Sequence, residues 1–484
     1  MRIPTSDIDR LREAIASAGL TPDGVTARLG ERDRAAADRG DYRGALAATS
    51  GLDALDVFVR LFVCGVAVPA ASVAAALAPL DLDSAQSWGL LTRDGDDYAA
   101  GMSLTLYGDF HVLADLPSAP GRTLDSEHVL GVGGASTTLT SATLRAPVGS
   151  ALDIGTGCGV QALHLSGHAD RVTATDLSER ALGFAAANAR LNGLDWELLQ
   201  GDMLAPVADR RFDLVVSNPP FVIGSGDAAF TYRDSGREAD GVCAELAAAA
   251  PGLLNPGGTL QFLANWVHVE GQDWRERVGG WFAGTGCDVW AVQREVTDPL
   301  DYVRVWQRDA GNPADPHALA AWLDWFEANK VEGVGFGMIT ARLSGRDEPI
   351  VHCDDIRHQV EAPYADRIAD WFGRYDLIAG LTPERLLAAR LRLADGVELR
   401  QDATLGEDGW EVGRQLLAQT AGMRFVEEVD PLLVAFLGGC GGLVPVRTQI
   451  ALLAAAHEAP DGLLAASLAP VITHFVQRGF LDVV

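Results

Sequence analysis

Residues 151–159, Ala-Leu-Asp-Ile-Gly-Thr-Gly-Cys-Gly, run from four strand-forming residues into three alternate glycines. About sixty residues later Asn218-Pro219-Pro220-Phe221 closes a second apolar run, Phe212 to Ser217. A strand that ends in an acid, turns through Gly155, Gly157 and Gly159 and enters a helix at Val160 is a nucleotide-binding arrangement. The glycines let the backbone turn sharply and approach a ligand closely. From residue 150 onward short apolar runs alternate with helical segments, the pattern of an open parallel sheet covered on both faces. Strands are expected at 150–154, 171–175, 196–200, 212–217, 258–264, 287–292 and 337–344. Helices are expected at 159–166, 178–192, 236–254, 272–284 and 317–329, with 293–316 as a charged insertion. The fold class is therefore α/β, with a Rossmann-like seven-stranded core.

Three further strand ends narrow the ligand. Asp176 follows Val172-Thr173-Ala174-Thr175, where a carboxylate can hold both hydroxyls of a ribose. Gly201-Asp202-Met203 follows the third strand, where a side-chain acceptor can meet an adenine amino group. At the fourth, the Asn218 side-chain oxygen and the Pro219 carbonyl can accept two N–H bonds from a flat amino group, with the Phe221 ring as a platform. Such acceptors draw a delocalised nitrogen towards a tetrahedral shape and stabilise the charge that grows on it.

Strand ends at Asp153, Asp176, Asp202 and Asn218 resemble the ordered motifs of class I S-adenosylmethionine-dependent methyltransferases, in the small-domain branch that methylates amino groups. The resemblance covers roughly 128–265. It implies S-adenosyl-L-methionine as cofactor, with Asp153, Gly155, Thr156, Gly157 and Gly159 along its methionine moiety. It places Asp176 on ribose, Leu177 against adenine, Asp202 on the adenine amino group and Met203 beside it. Thr138 and Asn218 are further cofactor-side contacts, and Asn218, Pro219, Pro220 and Phe221 form the catalytic corner.

The segment Tyr232 to Gly241 and the following Asn255-Pro256-Gly257-Gly258 are similar to release-factor glutamine methyltransferases, so a protein glutamine amide is the favoured acceptor. Phe221 in place of a tyrosine, and Gly131-Val132-Gly133-Gly134 to Leu139 in place of a Pro-Arg-x-x-Thr-Glu segment, depart from that pattern. An Asn-Pro-Pro-Phe corner also resembles the enzymes that methylate guanine or adenine amino groups in RNA or DNA, the alternative acceptor. A reading of another class is a non-catalytic, cofactor-sensing DNA-binding regulator. Arg233 and Arg237 read as loop salt bridges, and His352-Cys353-Asp354-Asp355 with His358 as a solvated turn into a helix rather than a metal site.

A chain of 484 residues exceeds one core. Three parts are expected: 1–105, helical and winged-helix-like, with a hairpin near 88–98; 106–346, the catalytic domain; and 347–484, helical and winged-helix-like. Leu61 to Pro69 is echoed by Gly439 to Pro445, as two copies of one module would be. A net charge of −28 disfavours anionic membranes and phosphate backbones. Six scattered cysteines fit reduced thiols, and 57–80 and 431–456 are too interrupted by charge, glycine and proline to span a bilayer. The expected protein is cytoplasmic, acts on a macromolecule (protein or RNA), and needs neither membrane nor metal.

Overall fold

The computed structural model describes residues 3–117, 125–224, 236–309, 316–407 and 409–484. These form two compact units, residues 1–140 with 146–357 and residues 141–145 with 358–484.

The larger unit is built on one eight-stranded sheet. Its strands are β1 (Ala151–Ile154), β2 (Val172–Asp176), β3 (Glu197–Gln200), β4 (Phe212–Ser217), β5 (Leu254–Val269), β6 (Cys287–Thr297), β7 (Val331–Leu343) and β8 (Val351–Asp355). They lie in the order β8-β6-β7-β5-β4-β1-β2-β3. The run from β5 through β4, β1 and β2 to β3 is parallel, while β7 is antiparallel to both β5 and β6. β1 is buried at all four positions, as a parallel strand covered on both faces must be. The chain leaves β1 towards β2 and β3 but places β4 on its other side. The order thus reverses between β1 and β4, and a crevice opens at the carboxyl ends of these two strands.

Seven strands stand where the sequence puts them, several of them longer. β7 begins at Val331 rather than 337, and β6 continues to Thr297. Two readings are corrected. The charged stretch 293–316 is not wholly an insertion, since its first residues, to Thr297, are the end of β6 and the helix Pro299–Asp309 follows. Residues 351–355 are not a turn but the eighth strand, parallel to β6, with Asp354 buried and accepting the Trp290 indole N–H at 2.8 Å. Trp266 and Trp290 fill the sheet's core, and Trp266 stacks on Trp274 at 5.3 Å.

Ahead of the sheet, helix Thr5–Ala18 buries Ile8, Leu11, Ala14 and Ile15, and its Asp9 pairs with Arg190 at 2.7 Å. The segment 54–100 then runs helix, strand Val68–Pro69, helix Ala70–Leu77, helix Leu82–Ser87 and strands Leu91–Asp94 and Asp97–Ala100. Asp97–Ala100 is the middle strand of that small sheet.

In the smaller unit, helix Pro431–Gly438, strand Gly441–Pro445, helices Val446–Ala456 and Asp461–Arg478 and strand Leu481–Val483 repeat this order. Here the middle strand, Arg390–Leu393, comes from earlier in the chain. The short sequence echo therefore marks two like arrangements, the second with its central strand permuted. All six cysteines are free thiols.

Candidate functional site

The site begins with a buried acid. Asp153, 1% exposed, is the last but one residue of β1; its Oδ2 accepts the Thr156 hydroxyl at 2.6 Å and the Ala162 N–H at 3.1 Å, folding the glycine turn back onto the strand. Its Oδ1 is buried without a partner. Burial, only partly offset by those two bonds, pushes its carboxyl up to about 7. Gly155, Gly157 and Gly159 all take positive φ, at 69°, 57° and 94°. At Gly157 a side chain would meet open space, so this glycine serves the turn. At Gly159 a methyl group would stand 2.7 Å from the Trp196 ring, so that glycine also serves packing.

Asp176 at the end of β2 accepts the Gly157 N–H at 2.8 Å and the Ser178 N–H at 2.9 Å. It thereby ties the second strand end to the glycine turn, and burial raises its pKa. Next to it Leu177 is 54% exposed, an uncovered apolar surface at the mouth of the crevice. Asp202 is exposed after β3, with Arg237 at 3.2 Å, and Met203 beside it is buried with φ 45°. Arg237 also pairs at 2.8 Å with Glu245, which stands on helix Gly241–Leu253 rather than on the loop. Tyr232, Arg233, Asp234 and Ser235 lie outside the described residues.

β4 delivers the corner. The Ser217 hydroxyl donates to the Ile154 carbonyl at 2.9 Å, locking the tips of β4 and β1 together. A methyl group on Gly155 would lie 4.0 Å from the Asn218 carbonyl oxygen, so the turn and the corner face each other. Asn218 Oδ1 is sealed from solvent and has no hydrogen-bond partner. A buried amide oxygen left unpaired costs about 1–3 kcal/mol and marks where a donor belongs. Phe221 is 8% exposed, edge-on to Trp306 at 6.4 Å and tilted against Phe336 at 5.8 Å. Thr138, on helix Gly134–Ala142, uses its hydroxyl on the Gly134 carbonyl at 2.8 Å.

Sequence reasoning missed the residues that hold this arrangement. Asn188, fully buried on helix Glu179–Leu191, donates to the carbonyls of Leu113 and Cys158 at 2.8 and 2.7 Å. It therefore fixes the glycine turn from behind. Tyr302, on Pro299–Asp309, accepts the Ile223 N–H at 2.9 Å and the Asn265 amide at 2.8 Å. The Trp322 indole donates to the Ile223 carbonyl at 2.8 Å. Two inserted helices, Pro299–Asp309 and Pro316–Ala328, thus grip the chain two residues beyond Phe221. Buried Asp240 meets Arg277 at 2.6 and 2.8 Å and accepts the Val267 N–H at 3.2 Å. The available signal was an asparagine inside an apolar strand, Phe262-Leu263-Ala264-Asn265-Trp266, and another inside an alanine-rich helix.

A Rossmann-like sheet with acids at its strand ends, a glycine turn and an unpaired amide acceptor across a crevice is an arrangement that can hold a nucleotide-shaped cofactor beside a hydrogen-bond acceptor. Residues 131–270 match the methyltransferase small domain family. Residues 17–101 and 369–483 match two domains of unknown function (DUF7059 and DUF7782). A release factor glutamine methyltransferase of Bordetella pertussis is 38% identical over 131 residues, 25% of this chain and 48% of its own. A ribosomal RNA small subunit methyltransferase C of Alcanivorax borkumensis is 32% identical over 117 residues, 24% of this chain and 32% of its own. A ribosomal protein uL3 glutamine methyltransferase of Bradyrhizobium diazoefficiens is 36% identical over 122 residues, 22% of this chain and 38% of its own. The chain spans about half the length of the first of these relatives and less of the other two. A methyltransferase structure from Pyrococcus furiosus aligns over 46% of this chain and 91% of its own, at 16% identity and a TM-score of 0.28, a likeness too weak to add to the strand order. No helix among the described residues is long and apolar enough to cross a membrane, and no cluster of three His, Cys, Asp or Glu there is placed to hold a metal.

Proposed function

We propose that this chain is an S-adenosylmethionine-dependent N-methyltransferase acting in the cytoplasm on a planar amino nitrogen of a macromolecule, a protein glutamine amide in preference to a base. The unpaired, buried Asn218 Oδ1 beside the glycine turn carries the reading. It is an acceptor without a donor, at the point where the crevice between β1 and β4 ends. The cofactor supplies an electrophilic methyl group. Gly155, Thr156, Gly157 and Gly159 cradle its amino-acid end, Asp176 takes ribose, and Leu177, Asp202 and Met203 bound the base. Thr138 closes the near side.

Asn218 Oδ1 and the Pro219 carbonyl accept the two N–H bonds of the incoming amino group. They turn its lone pair towards the methyl and stabilise the positive charge that develops. Pro220 keeps the corner rigid, and Phe221 walls the acceptor pocket. The cationic product then loses a proton to solvent. Of the acceptors, glutamine is favoured because two of the three relatives above are named for glutamine methylation and because the net charge of −28 repels phosphate backbones. Residues 1–105 of the larger unit and residues 358–484 of the smaller one serve as recognition parts, each containing a winged-helix-like module.

The test is labelled-methyl transfer to fractionated extract, followed by protease or nuclease. Protease-sensitive label is expected, and nuclease-sensitive label would move the acceptor to RNA. Asn218→Ala should lower the turnover by about a hundredfold and leave cofactor affinity unchanged. A variant that transfers methyl normally would remove the corner from the mechanism.

A further inference from the structure

Strands Val397–Gly406 and Gly409–Gln419 form an antiparallel ribbon that a third strand, Val426–Glu428, joins only at its base, opposite Leu416 to Ala418. At that base Gln415, Leu417 and Ala418 are buried. Beyond it, among the described residues, the two strands have no further partner strand. A two-stranded ribbon is marginal in water unless one face is covered. The register sorts its side chains. Leu405 stands opposite Trp410 and Ala403 opposite Val412, and by alternation Leu399 shares their face. Leu399, Leu405, Trp410 and Val412 are 42, 70, 73 and 51% exposed. Asp402, Thr404 and Glu411 stand on the other face or at its margin. From 401 to 412 the sequence holds Asp402, Glu407, Asp408 and Glu411 and no lysine or arginine.

We infer that this ribbon docks a protein, with the Leu405–Trp410 pair as anchor in an apolar groove and the carboxylates around it meeting a rim of lysine and arginine. Tryptophan flanked by charge is the composition of an interface anchor. Charge complementarity selects the occupant. A second copy would set acidic tip against acidic tip in a chain of net charge −28, and nucleic acid would meet the same repulsion. A protein built to sit on RNA carries the required positive surface, and ribosomal proteins are of that kind. Taking this partner to be the methyl acceptor rests on the proposed function, whereas the docking surface itself does not.

The test uses the full chain and purified ribosomal protein uL3 of the same organism, with a ribosomal RNA transcript as competitor probe. Binding by calorimetry is compared for the native chain, for Leu405→Ser with Trp410→Ser, and for Glu407→Lys with Glu411→Lys. All four side chains are exposed, so melting temperatures should match. Each pair should weaken uL3 binding about tenfold. Raising salt from about 0.05 to 0.3 M should weaken the native complex and spare what remains in the lysine variant. Equal affinity in the variants, no affinity of the native chain for uL3, tighter binding to the RNA, or self-association abolished by Leu405→Ser with Trp410→Ser would each overturn the inference. Methyl transfer to a short glutamine peptide is read separately and should not change in either variant. A native chain that docks uL3 through the ribbon yet methylates no peptide or protein would sink the proposed reaction and leave the ribbon's role standing.

Discussion

Asp153 does more for the turn than for the ligand. It lies under the loop, and its Oδ2 is already taken by Thr156 and Ala162. Its sequence position gave its importance, but not this division of labour, which only burial discloses. The consequence is a pH signature. An ordinary carboxyl ionises near 3.8, and here burial moves it to about 7. A group whose folded pKa is raised stabilises the fold fully below the unfolded value, and that stabilisation is lost as pH rises through the folded one. Between pH 5 and 7 the native chain should lose about 3 kcal/mol from this group, at about 1.4 kcal/mol per unit, and little more above pH 7. Asp153→Asn keeps an acceptor for Thr156 and Ala162 but has no proton to lose. Urea midpoints of the two proteins across that range should therefore converge or cross as pH rises. Parallel curves would mean that the acid is ionised in the folded state throughout.

The β-strands were legible because buried parallel strands leave uninterrupted apolar runs, and the crevice was legible because glycine and proline punctuate those runs. The helix Pro299–Asp309 was not, since Asp-Tyr-Val-Arg-Val-Trp-Gln-Arg spreads its few apolar residues among charges and reads as loop. The eighth strand was hidden for a related reason: Val351-His352-Cys353-Asp354-Asp355 has strand geometry but loop composition. Asp354 is tolerated inside because Trp290 and, at 3.2 Å, His352 meet it. The hidden helix matters more, because Tyr302 reaches from it to the acceptor corner. Tyr302→Phe keeps the ring among Trp306, Trp322 and Phe326 but leaves the Ile223 N–H and the Asn265 amide without their acceptor. A buried donor so orphaned costs about 1–3 kcal/mol, enough to let the corner drift. Turnover per cofactor-binding site should fall about tenfold with cofactor affinity unchanged. A drop explained wholly by fewer binding sites would reduce Tyr302 to a fold-stabilising role.

Across the whole chain, the place where the larger unit ends is a physical question that composition poorly answers. A boundary at 346 follows from the glycine and charge that close β7. The compact unit instead continues to Arg357, because β8 pairs with β6 and Ile356 N–H reaches the Gln293 carbonyl at 2.9 Å. Asp288, 1% exposed, gathers Arg342 at 3.1 Å, Arg346 at 2.9 Å and the Ile350 N–H at 3.0 Å, so the strap between β7 and β8 is tied to β6 as well. Ending the chain after 346 removes β8, uncovers the β6 edge and strips Trp290 of its buried acceptor. An open edge of this kind is a template for pairing between molecules. A chain ending at 357 should melt several degrees higher than one ending at 346 and stay monomeric in sedimentation, with the shorter chain aggregating first. Equal melting and equal solubility would show that β8 is dispensable to the sheet.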